Sequence, residues 1–206
     1  MDFIDYILCA LLAILGYFLG SISFSVILTK FKYKKDVREE GSGNAGATNV
    51  ARTFGMSAGL LTLLCDVLKT VLPMLLGYYL LGDLGAAIGG LATVLGHCFP
   101  IYFGFKGGKG VSVAAAVALL SDWRLFLIAI SVFLIVALIS KYVSLGSIIA
   151  VSVYAVLTFV PYFGMSTEKI VLGVATPLIV IFMHRANIKR LIKGEETKFR
   201  AKSKKD

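Results

Sequence analysis

A chain of 206 residues that is 58% hydrophobic and only 16% charged, with a mean hydropathy of +0.86, is too apolar for a soluble globular domain and reads as a polytopic membrane protein. The formal net charge of +9 would suit nucleic acid, but the basic residues cluster at the ends of apolar runs, where membrane topology and anionic headgroups account for them. Cys9, Cys65 and Cys98 are odd in number and widely spaced in apolar surroundings, which excludes a zinc pattern or a disulfide framework.

Seven apolar runs can be marked, at roughly 3–29, 54–81, 84–103, 110–121, 124–140, 144–161 and 168–184. The first lacks a basic n-region and exceeds the ~20 residues a bilayer requires, so it reads as a retained span and not a secretory signal. The fourth is short and needs tilt, a partly re-entrant course or extension by its flanks. With seven spans, Lys30, Lys32, Lys34, Lys35, Arg38, Arg52, Lys106, Lys109, Lys141 and the nine basic residues from Arg185 to Lys205 share one side. That is eighteen of the 21 Lys and Arg. The other side carries Asp2, Asp5, Asp83, Asp122 and Glu168, with only Arg124 and Lys169. The positive-inside rule then predicts an all-α, seven-helix integral membrane protein, N-terminus outside and C-terminus cytoplasmic. Residues 1–194 are expected to form one membrane domain and 195–206 a basic cytoplasmic tail, mobile after Gly194-Glu195-Glu196.

In chain order, Gly16 and Gly20 make a GxxxG pair that predicts close helix packing. The stretch Gly41-Ser42-Gly43-Asn44-Ala45-Gly46-Ala47-Thr48-Asn49 exposes backbone N–H groups and tolerates positive φ, which suits an anion. Its Ser42, Asn44, Thr48 and Asn49 add neutral donors, and Arg52 adds a planar fork for phosphate. A plain Gly/Asn turn between helices is the alternative. Asp66 and Lys69 share one helical face as a structural ion pair or the lining of a polar cavity, and Pro73 predicts a kink. His97 falls where the third run leaves the membrane, a position where helix packing is its ordinary role.

Lys106-Gly107-Gly108-Lys109-Gly110, ahead of an apolar helix, reads as a second anion site. It is not a Walker A loop: Phe103 stands where that motif needs glycine, and Gly110 follows Lys109 in place of Ser or Thr. Ser144 is expected to N-cap the sixth run, or to donate to a ligand. His184 and Asn187 share a helical face, with Lys189 and Arg190 following. All four polar constellations lie at cytoplasmic ends of spans, and that convergence points to one site.

Gly20-Ser21-Ile22, the Gly41–Asn49 loop with Arg52, Asp66-Val67-Leu68-Lys69, Gly96-His97 with Pro100, Lys106–Val111, Tyr142-Val143-Ser144-Leu145, and His184-Arg185 with Asn187-Ile188 carry a resemblance over nearly the whole chain. In order and spacing the chain resembles the bacterial membrane glycerol-3-phosphate acyltransferases that use acyl phosphate. It departs from them at Ser23 and Ala45, where proline is common, at Thr70 and Ala116, where glycine is usual, and at Ser112-Val113, where Ala-Thr is usual.

The resemblance implies acyl transfer from acyl phosphate to the 1-hydroxyl of glycerol 3-phosphate. The products are lysophosphatidate and phosphate, in the first acylation of phospholipid biosynthesis. It implies a seven-helix fold in the plasma membrane with an active site at the cytoplasmic face. No cofactor is expected, no metal-ligand cluster is evident in the sequence, and the upstream acyl-phosphate-forming enzyme is a further candidate partner. Direct attack is expected. Ser42, Gly43, Asn44, Gly46, Thr48, Asn49, Lys106, Gly107, Gly108 and Gly110 would bind substrate, with Arg52, Lys109, Ser144, His184 and Asn187 catalytic. His184 is one candidate base and the donor phosphate the other. A covalent route through Ser42 or Ser144 lacks a Ser-His-Asp set. The alternative reading is an organic-phosphate transporter, against which stand the lack of a repeated half and of paired broken helices at the midplane.

Overall fold

The computed structural model describes residues 1–199, which form helices joined by loops, without a strand among the described residues. The basic residues expected in the tail at Arg200, Lys202, Lys204 and Lys205 lie outside the described residues. Three stretches, Phe3–Tyr33, Met56–Phe103 and Trp123–Ser140, are each long and apolar enough to cross a membrane. Thr167–Met183 with Arg185–Ile192, bent by 59°, makes a fourth if taken together.

Helix α1 (Phe3–Gly20) starts at a capping box in which Asp2 and Asp5 each accept the other's backbone N–H. The first apolar run, expected to continue unbroken to about residue 29, instead stops here, and α2 (Phe24–Tyr33) begins after a break at Ser21–Ser23. The cause is local and tertiary together. Ser21 Oγ donates back to Tyr17 O at 2.8 Å, and the carbonyl of Ile22, freed from the helical ladder, accepts from Lys69 Nζ at 2.8 Å. The GxxxG face packs as predicted: a Cβ at Gly16 would lie 2.7 Å from Gly89 O, and one at Gly20 would overlap Thr93 O.

After α3 (Ala47–Phe54) comes α4 (Met56–Cys98), which folds back on itself at Leu81–Gly82. Gly82 has φ +59°, a conformation that costs glycine little and other residues much. Its two arms touch through Gly77 and Gly85, where an added Cβ on either would overlap the other's carbonyl, and through Gly89 against Pro73 O. The turn falls between the second and third apolar runs. The remaining helices are α5 (Val111–Ser121), α6 (Trp123–Ser140), α7 (Val143–Leu157), α8 (Thr167–Met183) and α9 (Arg185–Ile192). They follow the fourth to seventh runs to within a few residues, with α9 added. Helix α5 is about 17 Å long at 1.5 Å per residue, well short of a ~30 Å hydrocarbon core.

Val94 and Cys98 of α4, Val113 and Val117 of α5 and Leu172 of α8 form the main core. The outer faces stay apolar, as at Leu64, Leu68 and Leu72 of α4 and Leu138 and Ile139 of α6, which suits lipid and not water. Cys9, Cys65 and Cys98 are free thiols.

Candidate active site

The first glycine-rich loop is held from within. Asn49 is 1% exposed; its amide donates to Val37 O (3.0 Å) and Glu40 O (2.9 Å) and its Oδ1 accepts from Ser42 N (2.9 Å). Its polar atoms therefore shape the loop instead of being free for a ligand, although the residue lines the cavity described below. Asp36 caps the preceding turn and pairs with Arg38, whose bonds hold that carboxyl well below the usual carboxylate range against the opposing effect of burial. Arg38 also donates to Phe103 O at 3.0 Å, clipping the first loop to the segment that leads into the second.

The second loop is built by close approach. Gly108 N donates to His97 O at 3.1 Å, and a Cβ on Gly107 would overlap that carbonyl. A Cβ on Gly108 would overlap His97 Nε2 and stand 3.0 Å from Ala45 O of the first loop. Only a residue without a side chain lets the two loops meet there.

Both loops open on one cavity of about 620 Å³, within the range of small-ligand sites. Ser42, Asn44, Gly46, Thr48 and Arg52 line it from the first loop and α3, and Lys109 from the second loop. Ser144, His184, Asn187 and Arg190 line it from α7, the α8–α9 joint and α9. Below this polar end the wall becomes apolar, with Ala114, Ala115 and Ala118 of α5, Phe126 and Phe133 of α6, and Val151 and Tyr154 of α7. Of the predicted site residues, Gly43, Lys106, Gly107, Gly108 and Gly110 are not among the lining residues, and Lys106 is exposed. A smaller cavity of about 240 Å³ lies around Tyr78 and the Asp83–Lys169 ion pair, away from these loops.

Ser144 does not cap α7. It is the helix's second residue, and its hydroxyl donates to Glu196 Oε1 at 2.6 Å. The same oxygen accepts from Asn187 Nδ2 at 2.6 Å, and Oε2 accepts from Arg190 Nε at 2.8 Å. The start of the tail therefore returns a carboxylate to the site, and in the stretch expected to be mobile Phe199 N donates to Lys141 O at 2.9 Å. Glu196 and Arg190 were not among the predicted site residues; the available signal was a pair of acids, Glu195 and Glu196, inside a basic segment.

His184 is 3% exposed at the bend between α8 and α9, and its Nδ1 lies 2.8 Å from Val180 O. A carbonyl only accepts, so Nδ1 carries the hydrogen and Nε2 keeps its lone pair. Arg52 Nε and Asn187 Oδ1 are buried without a hydrogen-bond partner among the described residues, leaving one donor and one acceptor for a ligand. Burial, with Arg190 and Arg52 nearby, pushes the Lys109 ammonium down to about 8, opposed by Glu196. The site thus combines cationic groups, neutral donors and a histidine lone pair at the mouth of an apolar chamber, a set suited to phosphate esters that carry a lipid chain.

The family model described as glycerol-3-phosphate acyltransferase matches residues 10–194. A glycerol-3-phosphate acyltransferase of Thermoanaerobacter pseudethanolicus is 42% identical over 193 residues, covering 94% of this chain and 96% of that one. One from Shouchella clausii is 45% identical over 188 residues, covering 89% and 92%. The chain also superposes on crystal structures of PlsY (YgiH), an integral membrane glycerol 3-phosphate acyltransferase. The glycerol 3-phosphate form gives a TM-score of 0.88 at 38% identity over 93% of this chain and 96% of that one. The lysophosphatidic acid form gives 0.83 at 38% identity over 93% and 95%.

Proposed function

The chain belongs to the glycerol-3-phosphate acyltransferase family, and from that premise we propose that its acyl donor is an acyl phosphate and its acceptor the 1-hydroxyl of glycerol 3-phosphate. The products are 1-acyl-glycerol 3-phosphate and inorganic phosphate. The observation that carries this reading is the continuity of the cavity: a cationic end with Arg52 and Lys109 opens into a chamber walled by alanines and aromatic rings. A soluble phosphate ester and a lipid chain need those two environments in contact.

In the reaction, the glycerol oxygen attacks the acyl carbon and the bond from that carbon to the phosphate oxygen breaks. The hydroxyl proton passes to His184 Nε2 or to the departing phosphate. A mixed anhydride has a good leaving group, so no acyl-enzyme is required. Arg52 and Lys109 offset the charge of the two phosphates, while Ser144 and Asn187, held by Glu196, orient the glycerol.

The helices read as seven spans: α1 with α2, the two arms of α4, then α5, α6, α7 and α8. The N-terminus lies outside and the site faces the cytoplasm from the plasma membrane. The charge pattern supports this, because Asp83 with Lys169 and Asp122 with Arg124 sit at the ends of helices away from the basic loops. The test is the purified protein in detergent with palmitoyl phosphate and glycerol 3-phosphate. Stoichiometric lysophosphatidate and phosphate, without coenzyme A, is the expected result. No product, with saturable glycerol 3-phosphate uptake into liposomes, would replace the reading with transport.

A further inference from the structure

Beneath the second loop lies a polar cluster that the reaction above does not use. Asp66, Lys69, His97 and Ser112 are each under 9% exposed. The Lys69 ammonium has three hydrogens and finds three acceptors: Ile22 O at 2.8 Å, Asp66 Oδ1 at 2.8 Å and His97 Nδ1 at 3.0 Å. The other Asp66 oxygen accepts from Ser112 Oγ at 2.9 Å. An ammonium cannot accept a hydrogen bond, so His97 Nδ1 must, and the ring's one hydrogen resides on Nε2. Asp66 Oδ1 is 3.6 Å from Nδ1, too long to compete.

That Nε2–H leaves the cluster toward Gly108 and makes no hydrogen bond among the described residues. His97 lines the cavity together with Lys109 and Ser112. The nitrogen is not sealed in the protein interior; it is open to the cavity, where a ligand oxygen can accept its hydrogen. His184 is its complement: there Nδ1 is the donor, to Val180 O, and Nε2 is the free lone pair. The two histidines thus present opposite faces to one cavity, one able only to donate and the other only to accept.

We propose that His97 is a further catalytic residue, donating its Nε2–H to an anionic oxygen of the acyl phosphate, with the Lys69–Asp66 pair fixing the tautomer that makes this possible. The hydrogen stays on nitrogen throughout. The bond strengthens as the carbon–oxygen bond breaks and charge gathers on the departing phosphate. This rests on the acyl-phosphate reading given above. Lys69 and Asp66 act through His97 and are positioning residues.

The experiment has two parts on the full chain in detergent. With ring-labelled histidine, 15N NMR is expected to find His97 protonated at Nε2 and bare at Nδ1, with the Nε2 signal moving when inorganic phosphate is added. His97→Ala is expected to lower kcat about a hundredfold and to weaken inhibition by inorganic phosphate, with KM for glycerol 3-phosphate nearly unchanged. His97→Gln, which keeps an N–H at similar reach, is expected to recover about tenfold of that loss. A hydrogen on Nδ1 overturns the proposal even if neither variant folds. An unchanged kcat in a folded alanine variant, or a loss confined to KM for glycerol 3-phosphate, overturns it also. If the unaltered protein fails to turn over palmitoyl phosphate, the donor reading falls and this proposal with it; if it turns over normally and the His97 variants match it, only this proposal falls.

Discussion

The carboxylate of Glu196 accepts a 2.6 Å hydrogen bond from the hydroxyl of Ser144, a residue 52 positions earlier in the chain. It holds Asn187 and Arg190 with its remaining capacity. One side chain after the last helix thereby gathers three groups from α7 and α9 at the mouth of the cavity. The hydrogen bonds from Ser144, Asn187 and Arg190 lower the carboxyl below its ordinary range, although burial is the largest single influence and acts the other way.

Glu196→Gln keeps the shape and removes the charge. Hydrogen bonds to charged groups contribute about 1.5–3 kcal/mol each before solvent exposure is discounted, so a fall of about tenfold or more in kcat/KM for glycerol 3-phosphate is expected from initial-rate kinetics. The pH signature follows from the sign. A carboxyl lowered on folding contributes stability above its unfolded value near 4.3, and that contribution disappears as pH falls through its lower folded value. Thermal unfolding in detergent is therefore expected to lose stability below about pH 4 in the unaltered protein, with this component missing in Glu196→Gln.

His184→Gln tests the base. If Nε2 accepts the hydroxyl proton, kcat falls by about 10²–10⁴ while the Tm changes little. A raised KM at nearly normal kcat would leave the departing phosphate as the proton acceptor.

Lys109 titrates at about 8 because its ammonium is poorly solvated. Anion binding needs the charged form, so kcat/KM is expected to fall as pH rises through about 8. In Lys109→Arg the guanidinium keeps its charge, and the alkaline fall moves to higher pH. Lys109→Met removes both the fall and most of the activity. Initial rates at low substrate across pH 6–10 would reveal all three.

The Lys69–Asp66 pair separates packing from charge. Lys69→Met alone leaves the Asp66 carboxylate buried without its cation, a loss of about 3–5 kcal/mol when one partner of such a pair is removed. Adding Asp66→Asn removes the stranded charge, so the double variant is expected to regain part of the lost Tm. A double variant less stable than Lys69→Met would contradict this account of the pair.

Much of the architecture was legible along the chain because hydropathy and glycine punctuation are local. The runs at 110–121, 124–140 and 168–184 lie within a residue or so of α5, α6 and α8, and the turn at Leu81–Gly82 falls in the gap between two runs. Ser42, Asn44, Thr48, Arg52, Lys109, Ser144, His184 and Asn187 were each singled out, and the fold brings them to one cavity. The break at Ser21–Ser23 was not legible, because it depends on Lys69 reaching Ile22 O from another helix. The duty of Asn49 was hidden for a similar reason: its amide looks the same whether its partners are a ligand or the carbonyls of Val37 and Glu40.

By itself the sequence determined that the chain is a helical membrane protein with polar loops at one set of helix ends, since apolar length and charge placement follow from transfer of each segment between water and lipid. Only the tertiary structure decided that Glu196 closes the site, that Ser144 serves Glu196 and not its own helix end, and that His97 and His184 are held in opposite tautomers. Those outcomes hinge on which donor meets which acceptor across elements far apart in sequence, and hydrogen-bond direction is set by the partner as much as by the residue.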